Sequence, residues 1–183
     1  AAKVDFQDND VVSLDLGDLG KIKGEYDMIL DDKVDDVKSA SPYSYDSKFE
    51  SLDTLQKSDT FGYINQLVGY AKAAGKDVGG WWVINKATGH YKYVSAEDVD
   101  VDAVIENIKD TVDYITNDKP FERCFEPVPE YYRKSASGNT KLGIACGYCS
   151  FKLKCWPELK QVESRVSQAK IKPTVDYIHI GDY

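Results

Sequence analysis

Residues 24–38 read GEYDMILDDKVDDVK, and the rest of the fold follows from how this stretch is taken. Polar and apolar residues alternate through 20–30 and again through 34–40, on either side of an Asp-Asp-Lys turn. Such alternation marks half-buried strands joined as a hairpin. Because side chains on a strand repeat every two residues, Asp36 and Lys38 share a face, and antiparallel neighbours bring Asp27 toward Asp36. Two carboxylates beside an ammonium are the groups that hold Mg²⁺ or Mn²⁺ against a phosphodiester. The oxygens bind the hard cation, the Val37 carbonyl offers a further ligand, and the lysine orients or helps deprotonate an attacking water. Taken alone, an acid two residues before a lysine is most often a solvated strand surface.

Working outward, VVSLDL at 11–16 adds a preceding strand, so the opening reads as a meander of about three strands. Pro and Ser signals over 41–59 predict a short helix near 48–55. A firmer helix is predicted from Asp59 or Thr60, whose side chains can cap it, to about Ala74, where Gly75 stops it. On that helix Phe61, Ile64, Leu67, Val68 and Ala71 form an apolar side, with Tyr63, Gln66 and Tyr70 roughly opposite. Gln66 and Tyr70, four apart, can together contact a phosphate or position a lysine. GGWWVINKATGHYKYV at 79–94 predicts a hairpin turning at Gly89. Residues 98–118 return to helical spacing, with Val101, Val104, Ile105, Ile108, Val112 and Ile115 as a core stripe. The tail from Lys119 is irregular, with a short helix from about Pro157 and a strand at 175–180. The order β-β-β-α-β-β-α predicts an α/β core over 1–118 and a cysteine-bearing subdomain over 119–183, packed on that core.

The chain has 183 residues with 42% hydrophobic and 12% aromatic content, enough for a buried core despite a mean hydropathy of −0.47. No run approaches the roughly 18 apolar residues that cross a bilayer, and the start lacks a signal-peptide layout. Membrane insertion and secretion by that route are therefore not expected, and a cytoplasmic setting is. The net charge of −8 is unevenly spread: residues 1–36 hold eleven acids and four bases, residues 131–172 nine bases and two acids. One end is suited to cations, the other to anions. In the basic stretch Arg133, Lys134, Lys152 and Lys154 are the candidates for DNA phosphate contact, with Tyr131 or Tyr132 available for stacking.

All four cysteines lie between 124 and 155, spaced Cys124-x₂₁-Cys146-x₂-Cys149-x₅-Cys155. A C-x₂-C pair presents two thiolates to one metal, and four soft ligands suit tetrahedral Zn²⁺ or an iron–sulfur cluster. Nothing in the sequence marks the oxidising compartment or the redox context that would favour disulfides.

Read together, Gly24-Glu25-Tyr26-Asp27, Asp36-Val37-Lys38, Gln66-Leu67-Val68-Gly69-Tyr70 and Cys146 through Cys155 stand in the motif order of the PD-(D/E)XK nuclease superfamily. The chain resembles in particular its RecB-like exonucleases, which include phage-encoded and CRISPR-associated members. The resemblance covers about residues 20–157. It implies a restriction-endonuclease-like mixed sheet flanked by helices, with Asp27 and Asp36 holding the divalent ion, Lys38 beside them, and Gln66 and Tyr70 lining the substrate groove. It also implies a [4Fe-4S] cluster on the cysteines, where composition alone left zinc open. The expected activity is metal-dependent DNA hydrolysis, by an exonuclease of recombination, repair or phage DNA processing, in a bacterial or phage-infected cell.

The chain departs from the family pattern at two points. Its fourth cysteine follows the catalytic strands instead of preceding them, and there is almost no room for an N-terminal helical segment. A helicase or recombination partner supplying the N-terminal elements is one expectation. Two rival readings are a catalytically weak, nuclease-like module for DNA-end binding or assembly, and a zinc-stabilised structural protein whose carboxylates are surface groups.

Overall fold

Asp27 divides what the alternation predicts as one long strand. In the computed structural model, which describes residues 3–117, 119–120 and 122–181, the chain forms two units, 1–119 and 120–183. The first opens with β1 (Phe6–Gln7), β2 (Asp10–Asp15), a 3₁₀ turn at 17–19, β3 (Lys21–Tyr26), β4 (Met28–Leu30) and β5 (Lys33–Ala40). β2 and β3 pair as a separate two-stranded sheet, while β4 pairs with β1 and β5 in a larger one. The expected meander is thus two hairpins in two sheets, with Asp27 at the corner between them. The second hairpin turns through Asp31 and Asp32, both at positive φ (45° and 68°). That is the two-residue geometry matching strand twist, and Asp is among the few side chains that tolerate it.

A π-helical turn at 44–48, α1 (Leu52–Ser58) and α2 (Tyr63–Ala74) carry the chain over to β6 (Asp77–Asn85), which lies parallel to β5. β7 (Tyr91–Ser95) returns antiparallel, giving the order β1-β4-β5-β6-β7 in a mixed sheet. α3 (Val101–Thr116) follows. The short helix expected near 48–55 is displaced to 52–58, where the Ser51 side chain accepts from Thr54 N–H as its cap. α2 starts at Tyr63, not Asp59, yet Asp59 still caps it: its carboxylate accepts from Tyr63 N–H (3.0 Å) and Ile64 N–H (2.8 Å). Gly75, left-handed at φ 66°, ends it as expected.

α2 buries Ile64, Leu67, Val68 and Ala71. Each of the larger three contributes roughly 1.5–3 kcal/mol as an upper estimate. Trp81, Val83 and Val34 meet them from the sheet, and the buried cluster of this unit comprises nineteen apolar side chains. Phe61, expected on the buried side of α2, precedes the helix and is 47% exposed. α3 buries Ile105 and Ile108, with Val101, Val104 and Val112 partly covered, but Ile115 is 73% exposed because the last turn runs beyond the cluster. Asp118, where the sequence reading closes this domain, lies outside the described residues.

The second unit contains β8 (Val128–Tyr132), β9 (Ser135–Lys141), α4 (Ile144–Gly147), α5 (Lys152–Cys155), β10 (Lys160–Glu163) and β11 (Thr174–His179). The strands form an antiparallel sheet, β10-β11-β9-β8. The stretch read as irregular therefore holds a hairpin, β8–β9, and the helix expected from Pro157 is a turn leading into β10. That hairpin turns through Arg133 and Lys134 at φ 47° and 72°. Inside, Glu130 is buried and accepts from Tyr177 OH (2.9 Å) and Asn139 Nδ2 (2.7 Å). No helix among the described residues is long and apolar enough to cross a membrane.

Candidate active site

The mixed sheet carries the acidic site on β5 and at the corner before β4. β4 pairs with β5 only as far as Met28 opposite Asp35, so beyond that point, among the described residues, no strand pairs with this edge of β5. Asp27 fills the gap: its Oδ2 accepts from Val37 N–H at 2.7 Å. A strand residue directs its N–H and C=O to one side, so the Val37 carbonyl leaves β5 along the edge that Asp27 faces. Asp36 is buried (3% exposed), with Lys38 Nζ donating to its Oδ1 at 2.9 Å and standing 2.7 Å from its Oδ2 as an ion pair. That second contact lacks hydrogen-bond alignment, and Oδ2 accepts no hydrogen bond.

An under-satisfied carboxylate oxygen in a buried position is costly unless something else fills its coordination. Burial pushes the Asp36 carboxyl above its ordinary value; the Lys38 contact opposes this, and the charge and carboxyl of Asp27 reinforce it. The two acids are therefore close enough to act on each other, as groups sharing one ion must be. The donor set, with Oδ2 ion-paired but accepting no aligned hydrogen bond, fits a hard divalent cation, though among the described residues no three His, Cys, Asp or Glu side chains are disposed to hold a metal as they stand.

Behind the acids runs a polar chain from β5 to α2. Lys38 Nζ donates to Gln66 Oε1 (3.0 Å), and Gln66 Nε2 donates to Tyr70 OH (3.0 Å). The ammonium can only donate, so it fixes Oε1 as the end of the Gln66 amide that faces it and leaves Nε2 for Tyr70 OH. Gly24 makes this possible, because a Cβ there would stand 2.3 Å from Tyr70 Cε1; β3 and α2 can approach only across a residue without a side chain. A cleft of about 220 Å³ opens beside Gln66 and Tyr70, walled by Leu14, Ile22, Gly69 and Ile108. The six residues of the acidic constellation thus lie in one place.

Sequence reasoning passed over Asp35. It points to the opposite face of β5, where it accepts from Gly80 N–H (2.8 Å), Trp82 Nε1 (3.0 Å) and Tyr93 OH (2.9 Å). Burial, with Asp35 beside it, raises the Tyr93 hydroxyl well above its usual range. One of two adjacent acids is thus a structural anchor and the other a site group; only the two-residue spacing to Lys38 separates them.

In the second unit Cys146 lies on α4, Cys149 in the turn after it and Cys155 at the end of α5. Cys149 N–H donates to Cys146 O (3.1 Å), and Phe151 N–H donates to Cys149 Sγ (3.4 Å). Arg123 brings Cys124 to the group: its Nε donates to Cys155 O (2.9 Å) and its guanidinium lies 3.6 Å from the Trp156 ring centre. Burial raises the Cys146 thiol, and the neighbouring Cys149, Cys155 and Cys124 raise it further; Cys155 is raised likewise, with Arg123 opposing. All four thiols are free, and Cys146 is within electrostatic range of the other three, a donor set suited to a soft metal, though among the described residues they do not converge on one point.

Of the basic candidates, Arg133 and Lys134 form the β8–β9 turn, with the Arg133 guanidinium 5.2 Å from the Tyr132 ring centre. Lys152 is engaged by Asp176 Oδ2 (2.7 Å) and Gly147 O (3.2 Å). Lys154 lies on α5, next to Cys155. Comparison with protein-family models, with curated proteins and with solved structures yields no match for this chain.

Proposed function

We propose that this chain is a divalent-metal-dependent deoxyribonuclease with a restriction-endonuclease-like core, hydrolysing phosphodiester bonds as an exonuclease in DNA recombination, repair or phage DNA processing. The observation that carries the reading is the buried Asp36 carboxylate, ion-paired with Lys38 and close to Asp27, which bonds β5 at Val37 where β4 no longer pairs with it. Asp27, Asp36 and the Val37 carbonyl would hold Mg²⁺ or Mn²⁺. A bound ion supplies Lewis acidity at the phosphate. Lys38 places a positive charge where negative charge develops during attack, and its position is set before substrate arrives. Gln66 and Tyr70 act through it, one accepting from the ammonium and the other holding the amide. Cys124, Cys146, Cys149 and Cys155 would hold a [4Fe-4S] cluster, or zinc in its place, as a structural centre. Arg133, Lys134 and Lys154 would contact DNA phosphate, with Lys152 reaching it only by leaving Asp176.

Digestion of linear DNA with Mn²⁺ tests this. The parent should cleave, and Asp36→Ala and Lys38→Ala should each lose roughly 100-fold or more; equal cleavage by all three would end the assignment. One observation favours the second reading, a catalytically weak DNA-end binding or assembly module: Lys38 already neutralises Asp36, and among the described residues no third acidic ligand stands with the pair. Tight DNA binding with no Mn²⁺-stimulated turnover, unchanged by Asp27→Ala, would select it.

A further inference from the structure

Arg123 stands in a stretch, residues 122–127, that forms neither helix nor strand, and no sequence motif singles it out. Its guanidinium meets the chain at the end of α5 in three ways. Nε donates to Cys155 O at 2.9 Å, the group lies 3.6 Å from the ring centre of Trp156, and Nη2 stands 3.9 Å from Glu158 Oε1. Trp156 is buried, and its N–H donates to Lys152 O, which ties the ring to α5. The Glu158 ion pair has about half of each side chain exposed and adds little. The backbone bond and the ring face are therefore what hold the arginine.

Cys146, Cys149 and Cys155 fall within ten residues, and α4, the turn after it and α5 gather them. Cys124 differs. It is separated from Cys146 by 21 residues, and bringing it to the others costs the closure of that loop. It is exposed and follows Arg123 directly, so the bond from Arg123 to Cys155 O draws it to the group, within electrostatic range of Cys146 and Cys155. A guanidinium suits this task because it is planar. Its edge donates while its face lies on an aromatic ring, a pairing that the point charge of a lysine does not reproduce.

Resting on the metal-centre reading of the four cysteines above, we infer that Arg123 is a positioning residue for that centre, holding Cys124 at Cys155 so that a soft cation meets four thiolates. Without it, the three cysteines of 146–155 bind the cation with water in the fourth place. Groups outside the ligand set that orient a ligand change metal affinity roughly 10- to 100-fold when removed. Because Arg123 acts through Cys124, its removal costs nothing where that thiol is already absent. General support of the second unit would cost the same in either background.

The test is anaerobic titration of the metal-free full chain with Co²⁺. Thiolate-to-metal charge-transfer absorbance reads the number of bound thiolates, and competition with a chelator reads the affinity. The parent should show four thiolates and Cys124→Ser three. Arg123→Ala should give the three-thiolate spectrum and bind roughly 10- to 100-fold more weakly than the parent. Arg123→Lys, the milder change, keeps the charge but not the planar group and should follow Arg123→Ala. In the Cys124→Ser background, Arg123→Ala should lower the affinity no further. An equal loss with and without Cys124 overturns the positioning role, as does parent affinity in Arg123→Lys, since charge alone would then suffice. If the parent binds Co²⁺ through four thiolates and both Arg123 variants match it, the positioning role alone fails. A parent that binds through three thiolates removes Cys124 from the centre and the role of Arg123 with it. If the cysteines of the parent bind no Co²⁺, the metal-centre reading fails and the positioning role falls with it.

Discussion

Among the described residues the first unit buries nineteen apolar side chains in one cluster, whereas in the second only Leu142, Trp156 and Tyr177 are buried, beside the polar Glu130, Asn139 and Ser164. A core that small does not hold a 64-residue unit by itself. The two candidate metal positions differ accordingly. Asp27 and Asp36 are held by strands, a backbone N–H and a lysine. Cys146 and Cys155 sit on two four-residue helices, far below the length at which a helix is stable alone, and Cys149 lies in the turn between them. A well-cored unit can prepare a site in advance of an ion; on the proposed reading, the poorly cored one would draw part of its stability from the metal its cysteines would hold.

The contrast is broken most forcefully at the cysteines. Cys149→Ser should abolish stoichiometric metal and destabilise the second unit by several kcal/mol, a loss that chelation of the parent should reproduce. Metal analysis with thermal unfolding checks it, and an unchanged transition in both would remove the distinction. At the prepared site the corresponding change, Asp27→Ala, should cost about 3 kcal/mol of transition-state stabilisation, read as cleavage rate, yet leave the melting of the first unit nearly unmoved. Gly24→Ala should cost about 1–3 kcal/mol in denaturant unfolding, because the added methyl meets the Tyr70 ring. Pairing it with Tyr70→Ala should recover most of that loss in a double-mutant cycle.

The smallest effect sharpens the comparison through pH. The folded Asp36 carboxyl titrates above its ordinary value of 3.8, so the folded state holds this proton more tightly than the unfolded chain. Its contribution to stability is complete below the ordinary value and is lost as pH rises through the raised one. Asp36→Asn should therefore show a shallower fall in metal-free stability than the parent over the window just above pH 4, measured as urea midpoints; parallel curves would count against it. Mn²⁺ should offset the fall in the parent only.

The legible parts were those set by local repeat. Asp36 and Lys38 share a face because a strand repeats every two residues, and Gln66 and Tyr70 share one because a helix returns after about four. The stop at Gly75 follows from its freedom to adopt positive φ. The β8–β9 hairpin escaped because its turn uses Arg133 and Lys134 where Gly or Asn would announce it. Ile115 fits the helical stripe, yet periodicity does not say where a core ends. Glu130 resembles any surface acid until Tyr177, 47 residues away, donates to it.

By itself the sequence determined which side chains share a face and which residues can cap, turn or bind an ion, because backbone geometry over a few residues settles those relations. Tertiary structure alone decided that Asp27 turns a corner to meet Val37, that Asp35 serves the sheet while Asp36 faces Lys38, and that Arg123 reaches Cys155 and Trp156. Those relations depend on which distant segments the burial of apolar surface brings together, and no local pattern encodes that choice.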